Sequence, residues 1–576
     1  HIDNRLTGRG VINGGITRTT SEYMYNTLIR ETSKENYYTK VSDMIGNVEG
    51  VFKEFDGSGF SADLDRYFQA MENLRSNPNS EIFKADLNSQ ATIVVDSLQR
   101  LYTGIETQEQ YVKDSLDGDI REMNSILNDI ANINVQLGQQ AEATNDLLDK
   151  RDMLEIELAK FVDIEVIRQP DYELRMAGEI ALRYSSNIRE VAVYEEYTPQ
   201  QDRYVLDDGK TSSILDSLSN PTDFDDADDK ITLTIDNQHS VSVEYGELIT
   251  ADINNDGNID ASDTVDSSNY VRALTYKINQ DADLSSIVKA YNGNYAVDEN
   301  GDKVTIDTED NFLLLEAKVD GPEGEFHSRL DVKEIDTGDI NNTYNVFKDE
   351  YSSKDSTAFY GISVFDEPII PKSGSLKAVT ENLNTESGVN RFQLYKDKLD
   401  SFALTLSDMT DKYIKNSDDT YVFGEMATDV DGTVGNNVRD IGLFSGGSVK
   451  TLEFHSDKIN DLSQADLDYL ATMQWKKDIS FSGMGQGITD ENRTSFSEFY
   501  QELIVGVSAD KENNDFLKDT QEAVRHNIQA SYEQIVKVDN DEEMLDLIKF
   551  QAAYTANAKV ITVVDEMLDT LLGIKR

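Results

Sequence analysis

The chain has 576 residues and no cysteine, and its 109 acidic residues against 53 basic ones give a formal net charge of -56. That length suits three or four domains of roughly 100–200 residues each, and a field of that sign repels phosphate backbones and anionic head groups, so neither nucleic acid nor a membrane is an expected partner. Without cysteine there are no disulfides, thiolate metal sites or cysteine nucleophile.

No run approaches the roughly 18 apolar residues of a membrane span, and no basic-then-apolar signal peptide opens the chain. Export, if it occurs, is expected by a route that needs no cleaved signal. His1 is not an initiator Met, so the start is expected to be processed or cut.

Pro78 stands alone in the opening 165 residues, six prolines lie between Pro170 and Pro371, and none follows. Interior prolines break helices, so long helices are expected in the two outer blocks and strands in the middle. Helices are predicted around Tyr23 to Thr39 and Ser61 to Leu74, with "SNPNS" as the turn after the second. From Ile105 to Leu137 the positions Val112, Leu116, Ile120, Met123, Leu127, Ile130, Ile133 and Leu137 recur at steps of three and four, as one stripe of a long helix requires. "NDLLDKRDMLEIELAKF" predicts another.

In the middle block "REVAVYEEY", "KITLTID", "SVSVEYGEL" and "NFLLLEAKV" read as strands: short, β-branched or aromatic, and bounded by Asp, Asn and Gly. "SSNYVRALTYKINQ" predicts a lone helix with Tyr270, Val271, Leu274 and Ile278 on one face. Ahead of it, "DINNDGNIDASD" has the form of a twelve-residue calcium loop. Asp252, Asn254, Asp256 and Asp260 stand at positions one, three, five and nine, Asn258 is at seven, Gly257 is at the sharp turn, and Asp263 closes the frame. These six oxygen-bearing residues are the predicted ligands of a structural Ca2+. Asp263 is shorter than the usual closing Glu, which weakens the site, yet extracellular modules operate at dissociation constants of roughly 0.1–1 mM. The alternative is a polar connection in which Asn and Asp only form turns. With no paired loop and no apolar groove to expose, a staple is expected rather than a switch.

After Pro371, "NRFQLYKDKLDSFALTLSDMTDKYI" predicts a helix, then a Gly- and Asp-rich strand-containing excursion from about Asp418 to Asp490 that holds the only tryptophan, Trp475. Ser495 and Glu498 form a capping box for "SFSEFYQELIVGV", and helix runs to the end. In the last stretch, Leu547, Phe550, Tyr554, Val560, Ile561, Val564, Met567, Leu568 and Leu571 lie on two apolar seams. One neighbour cannot cover two seams, so the helix is either deep in a core or an assembly element, and its terminal position favours assembly.

The resulting fold class is α+β multidomain: an antiparallel helical rod built from both chain ends, with β-rich material inserted. The rod is expected from 1–165 and from 373–417 with 491–540. The outer β domain is expected at 166–372, with a calcium-loop subdomain near 231–320, the excursion at 418–490 and the assembly helix at 541–576.

Four segments carry a resemblance. "EEMLDLIKFQAAYTANAKVI" is similar to the C-terminal signature of flagellar axial proteins, and "NDLLDKRDMLEIELAKFVDIEV" to a helix-to-strand passage of the hook-associated proteins. "GFSADLDRYFQAMENLRSNPNS" and "VDEMLDTLLGIKR" resemble segments of the first hook-associated protein family, which joins hook to filament. The resemblance implies a structural subunit, exported and assembled at the hook tip outside the cell. It implies as partners further copies of the chain, the hook protein, the second hook-associated junction protein, and an export chaperone for the C-terminal helix. Members of the family begin with a short helix and an "AN…TPGY"-like stretch, and neither precedes "GRGVINGGITRTT", so a truncation of a longer protein is expected.

No catalytic constellation appears, and an enzyme is not expected. His1, His239, His327, His455 and His526 are scattered without metal-ligand spacing, "SGMGQG" lacks the Lys-Ser/Thr of a phosphate loop, and a pair such as Asp225 and Asp228 arises by chance among so many carboxylates. Two rival functions remain: a calcium-dependent surface adhesin, which has no need of the terminal helix, and an axial protein with an inserted hydrolase.

Overall fold

The computed structural model describes residues 21–573 apart from 55–56, 140–144, 170, 206–228, 255, 267, 294, 298–302, 306–311, 337–339, 347, 349–352, 386–387, 416–420, 424–437, 482–492 and 537–539. Helix α1 (Glu22–Val51) starts where the Ser21 side chain accepts from the Met24 amide. It runs a dozen residues beyond Thr39 because it is packed on several sides. Beyond Thr39 it buries Val41, Met44, Ile45 and Val48 at helical spacing, with Gly46 and Gly50 between and after them weakening the local helix signal. After α2 (Phe60–Ser76), α3 (Glu81–Gln139) is 59 residues long, about 90 Å at 1.5 Å per residue. The expected stripe extends back through Ile105 to Leu98, Val94, Ala91 and Leu87, all fully buried, while Leu137 at its far end is only half-buried. Helix α4 (Asn145–Phe161) then leads into a four-stranded meander, Ile164–Ile167, Glu173–Met176, Glu179–Arg183 and Asn187–Ile188.

The middle block holds α5 (Tyr270–Gln280) and the four-residue α6 (Leu284–Ile287), and beyond it come α7 (Ser375–Leu383) and α8 (Arg391–Asp411). The expected helix through "KYI" ends at Asp411. Lys412–Lys415 is a strand instead, with Tyr413 paired to Phe423 on one side and Arg439 on the other. Helices α9 (Gln464–Thr472), α10 (Phe496–Val536) and α11 (Asn540–Gly573) complete the order.

Two buried apolar clusters organise these elements. The larger joins α1, α2, α3, α4, α7, α8 and α10 to the meander and to the sheet of Val191–Thr198, Thr357–Val364 and Glu367–Ile369. It also takes in Leu443, Phe444, Leu467, Tyr469, Leu470, Ile479 and Phe481. The stretch 418–490 is therefore no outlying excursion over its described residues: it plugs the rod core between α2, α3 and α8, and contributes α9, whose Ser463–Asp466 capping box is intact. Trp475 stays exposed.

The smaller cluster runs from Tyr204 to Val332, wider than the subdomain expected at 231–320. Two antiparallel sheets form it. One is ordered Ile340–Val346, Ser328–Asp336, Lys230–Ile235, His239–Glu244, with Leu330 opposite Leu233 and Leu233 opposite Val241; the other is Gln201–Val205, Phe312–Ala317, Val288–Asn292. Helix α5 packs on them through Tyr270, Val271, Leu274 and Ile278, all buried as its spacing predicts. The outer β block is thus divided: strands at its two ends belong to the rod core, and only the part between them is a module of its own.

One polar knot fixes α1 to α4 and the meander. Glu155 is fully buried, accepts from Tyr25 (2.6 Å) and Tyr172 (2.9 Å), and pairs with Arg168 at 2.7 Å. Arg168 also reaches Asp152 and covers the Tyr25 ring, while Arg151 covers Tyr172. Burial pushes the Glu155 carboxyl up and the guanidinium of Arg168 opposes that rise. Removing one member of such a network strands the rest in a low-dielectric site. Glu155→Ala is expected to destabilise the rod by about 3–5 kcal/mol in urea unfolding, with an unchanged transition for the outer module.

Candidate functional site

Helix α10 begins with the predicted box: Ser495 Oγ accepts from the Glu498 amide and the Glu498 carboxylate from the Ser495 amide, both at 3.3 Å. Lys477 bonds the same carboxylate at 2.7 Å and, with Ser495, holds it down to about 2. The helix then lies antiparallel along α1. Ser508 meets Glu49, Asn514 bonds the Tyr38 carbonyl, Asp515 meets Ser42, Gln521 meets Glu31, Arg525 meets Glu35, and Tyr532 packs on Tyr25.

Helix α11 has no such cover. Every described side chain from 544 to 567 is exposed. Leu547, Phe550, Tyr554, Val560, Ile561, Val564 and Met567 stand between 48% and 74% open, where buried members of the rod core stand below 9%. The side chains of Leu568 and Leu571 lie outside the described residues.

The acidic loop is closed at its base by backbone bonds from Ile249 to Asp263 and between residues 246–247 and 265. Asp263 is fully buried and its carboxylate accepts from the amides of Ile253 (3.0 Å) and Asp260 (2.8 Å). Asp252 accepts from the amides of Asp256 and Gly257, Asn254 from Asp256, Asp256 from Asn258, and Asp260 from Ser262, whose bonds hold the Asp260 carboxyl low. Gly257 takes φ +88°, the left-handed conformation that its position demands. The six residues share one loop, but the side chains of all except Asn258 accept from loop amides, and no group of three or more His, Cys, Asp or Glu placed to hold a metal occurs among the described residues.

The histidines stay apart. His239 faces Asp283, His455 bonds Ser445, His327 lies beside Asp236, and His526 is exposed on α10. His1, Asp225, Asp228 and the "SGMGQG" stretch lie outside the described residues. Among those residues, no helix is long and apolar enough to cross a membrane.

One cluster, where the outer module meets the rod, has no counterpart in any sequence motif. Glu325 of the module and Asp397 and Asp400 of α8 line a cavity of about 20 Å³ with Asp236, His327, Ser401, Gly447 and Ser448. Burial pushes Glu325 and Asp400 up to about 7 and raises Asp397, while Lys396, paired with Glu109 at 2.7 Å, opposes the rise. These groups come from separate elements, so no local motif announces them.

Residues 45–221 match the family model of the flagellar hook-associated protein FlgK helical domain, and residues 529–574 that of the flagellar basal body rod FlgEFG protein C-terminal region. The chain is 26% identical over 192 residues to flagellar hook-associated protein 1 of Salmonella typhimurium, and 24% over 162 residues to that of Bacillus subtilis. These matches cover 32% and 28% of the chain and about a third of each relative, 34% and 32%. A solved flagellar hook junction protein FlgK from Burkholderia pseudomallei aligns over 88% of this chain and 99% of its own, at 9% identity and a TM-score of 0.37. A match to a hook-associated helical domain followed by a match to a rod-and-hook C-terminal segment makes these parts of the chain similar to flagellar axial proteins. Within that class, the matched stretches are similar to proteins of the FlgK type.

Asp263 is a structural anchor whether or not a metal is added. Asp263→Ala leaves the buried Ile253 amide and the part-buried Asp260 amide without this acceptor and is expected to cost the module about 1–3 kcal/mol in chelator-containing buffer, read by thermal unfolding with the rod transition unmoved.

Proposed function

We propose that the chain is a structural, non-enzymatic subunit of the hook–filament junction, assembled outside the cell at the hook tip. The observation that carries this proposal is α11, a 34-residue helix whose apolar side chains are turned to solvent. At about 50 Å it is long enough to line an axial tube, and its seams match the need for several neighbours. Its expected contacts are further copies of the chain, the hook protein, the second hook-associated junction protein, and a chaperone that covers the seams before export. The FlgEFG-type match over 529–574 supports an axial place for this helix. A surface adhesin has no use for such an element, and no described cluster favours an inserted hydrolase.

For the acidic loop we propose a weak calcium staple of the outer module, resting on the ligand spacing and on the left-handed Gly257. Saturation at ten times the dissociation constant raises stability by about 1.4 kcal/mol. Calcium should therefore raise the module's melting temperature relative to chelator in the parent but not in the Asp252→Ala, Asp256→Ala double variant. An equal response in both rules out this loop.

Deleting Leu547 to Arg576 is expected to leave the rod and module folded while abolishing incorporation at the hook tip. Ile561→Asp and Val564→Asp place a charge in a desolvated subunit contact, worth several kcal/mol there, without moving the melting of the monomer. Each variant is returned to cells lacking the gene, motility and filament attachment are scored, and circular dichroism follows the purified protein. Full motility from the truncated form, or a monomer unfolded by Ile561→Asp, would sink the assembly role.

A further inference from the structure

The outer module and the rod keep separate apolar clusters, and the contact between them is largely polar. The hairpin turn at Asp236 and Asn237 enters the rod: the Gly446 amide donates to the Asp236 carbonyl, and the Asn237 amide group bonds Ser407 and Asp408. Gln238 reaches the Thr451 carbonyl, and Arg329 bonds Asp411. The seat is tight, since a Cβ on Gly447 would come within 2.2 Å of His327 Cβ. Beside it runs the strap Gly321–His327, whose Glu325 accepts from Ser356 at 2.6 Å, while Asp400 accepts from the Val449 amide at 2.7 Å.

The charges around this junction are unbalanced. The strap and hairpin supply Glu325, His327 and Asp236; α8 supplies Lys396, Asp397 and Asp400. Asp355 faces them from the segment before Thr357–Val364, and Glu106 and Glu109 from α3, where the Tyr102 hydroxyl also lies. Among the described residues Lys396 and Lys450 face them, paired with Glu109 and Glu106, and His327 and His239 lie near Asp236. A polar joint with more buried carboxyls than cations responds to their ionisation.

We infer that the outer module docks on the rod in a proton-dependent way, seated while Glu325 and Asp400 are neutral and loosened when they ionise together across the shared cavity. The inference goes beyond the assembly proposal and does not depend on it. Both carboxyls titrate near 7 when docked and near 4 when solvated. A group whose value is raised in the docked state stabilises it fully below the solvated value, and that contribution is lost as pH climbs through the docked one. Docking therefore weakens from about pH 4 to about pH 7 and levels off above.

With no native cysteine, Ala282→Cys in the module and Asn88→Cys in α3 can take a fluorophore pair in the full chain. Energy transfer is followed from pH 5 to 8.5. The parent should lose transfer as pH rises, with the docking constant falling at least about tenfold. Glu325→Gln and Asp400→Asn should each shrink that change and together abolish it, whereas the exposed-site control Asp96→Asn should keep it. Gly447→Ala, which wedges the joint, should give low transfer at every pH and so verifies that the probe reads docking. A parent signal flat across the range, or a parent-like fall in the double variant with circular dichroism unchanged, overturns the inference. Because α11 is untouched, motility of the double variant tests assembly separately.

Discussion

The antiparallel contact of α1 with α10 is the constraint on which the rest of the molecule depends. It brings together residues as far apart as Glu31 and Gln521, 490 positions along the chain, and closing such a loop costs on the order of 5 kcal/mol. Burial of Tyr25, Ile29, Met44, Ile45 and Val48 on α1, at about 1.5–3 kcal/mol each, is more than enough to offset that. Once the ends are joined, α3 can serve as a long spine, and everything between Val191 and Val364 is anchored at both ends in the rod. The outer module hangs from a closed frame. Its own cluster can be separate because the frame supplies the position that shared packing would otherwise have to supply.

How much of this the sequence announces depends on whether a signal is local. The α3 stripe, α5 and the Ser495–Glu498 box were readable because periodicity and caps are properties of adjacent residues. Helix α1 beyond Thr39 was less so, because Gly46 and Gly50 lower local helix propensity there and the packing of Val41, Met44, Ile45 and Val48 overrides them. The stretch from Ile441 to Phe481 looked like an excursion because its apolar residues sit between Gly, Asp and Ser turns. Their partners, such as Tyr67 against Phe444, lie nearly 400 residues away. The acidic loop was legible in spacing and turn conformation, but the direction of each carboxylate oxygen is set by the amides the fold presents to it.

The same distinction separates two kinds of buried carboxylate. Glu155 is burdened by desolvation but meets two guanidinium groups and two phenols, so its charge is locally answered and the knot behaves as an anchor. Glu325 and Asp400 receive one neutral hydrogen bond each and share a lysine already held by Glu109. Glu155 and Asp400 are buried and Glu325 half-buried, but it is the partners that differ in kind. A carboxylate that is answered stabilises a fixed contact, whereas unanswered ones make a contact conditional on their protons.

A chain that leaves a two-seamed helix in water has to avoid premature association, and its composition bears on that. Apolar seams of this size on a neutral protein would be an aggregation site. With a net charge of -56, copies repel one another at long range, but that repulsion decays within about 8 Å at physiological ionic strength. It slows encounters in solution, yet in the proposed assembly it would be outweighed once several helices lie side by side at a growing end, where the gain from covering each seam is counted at contact distance. The acidity of the body and the apolarity of α11 thus act at different ranges. In the assembly proposed above, free subunits would be held apart by the first and assembled subunits held together by the second.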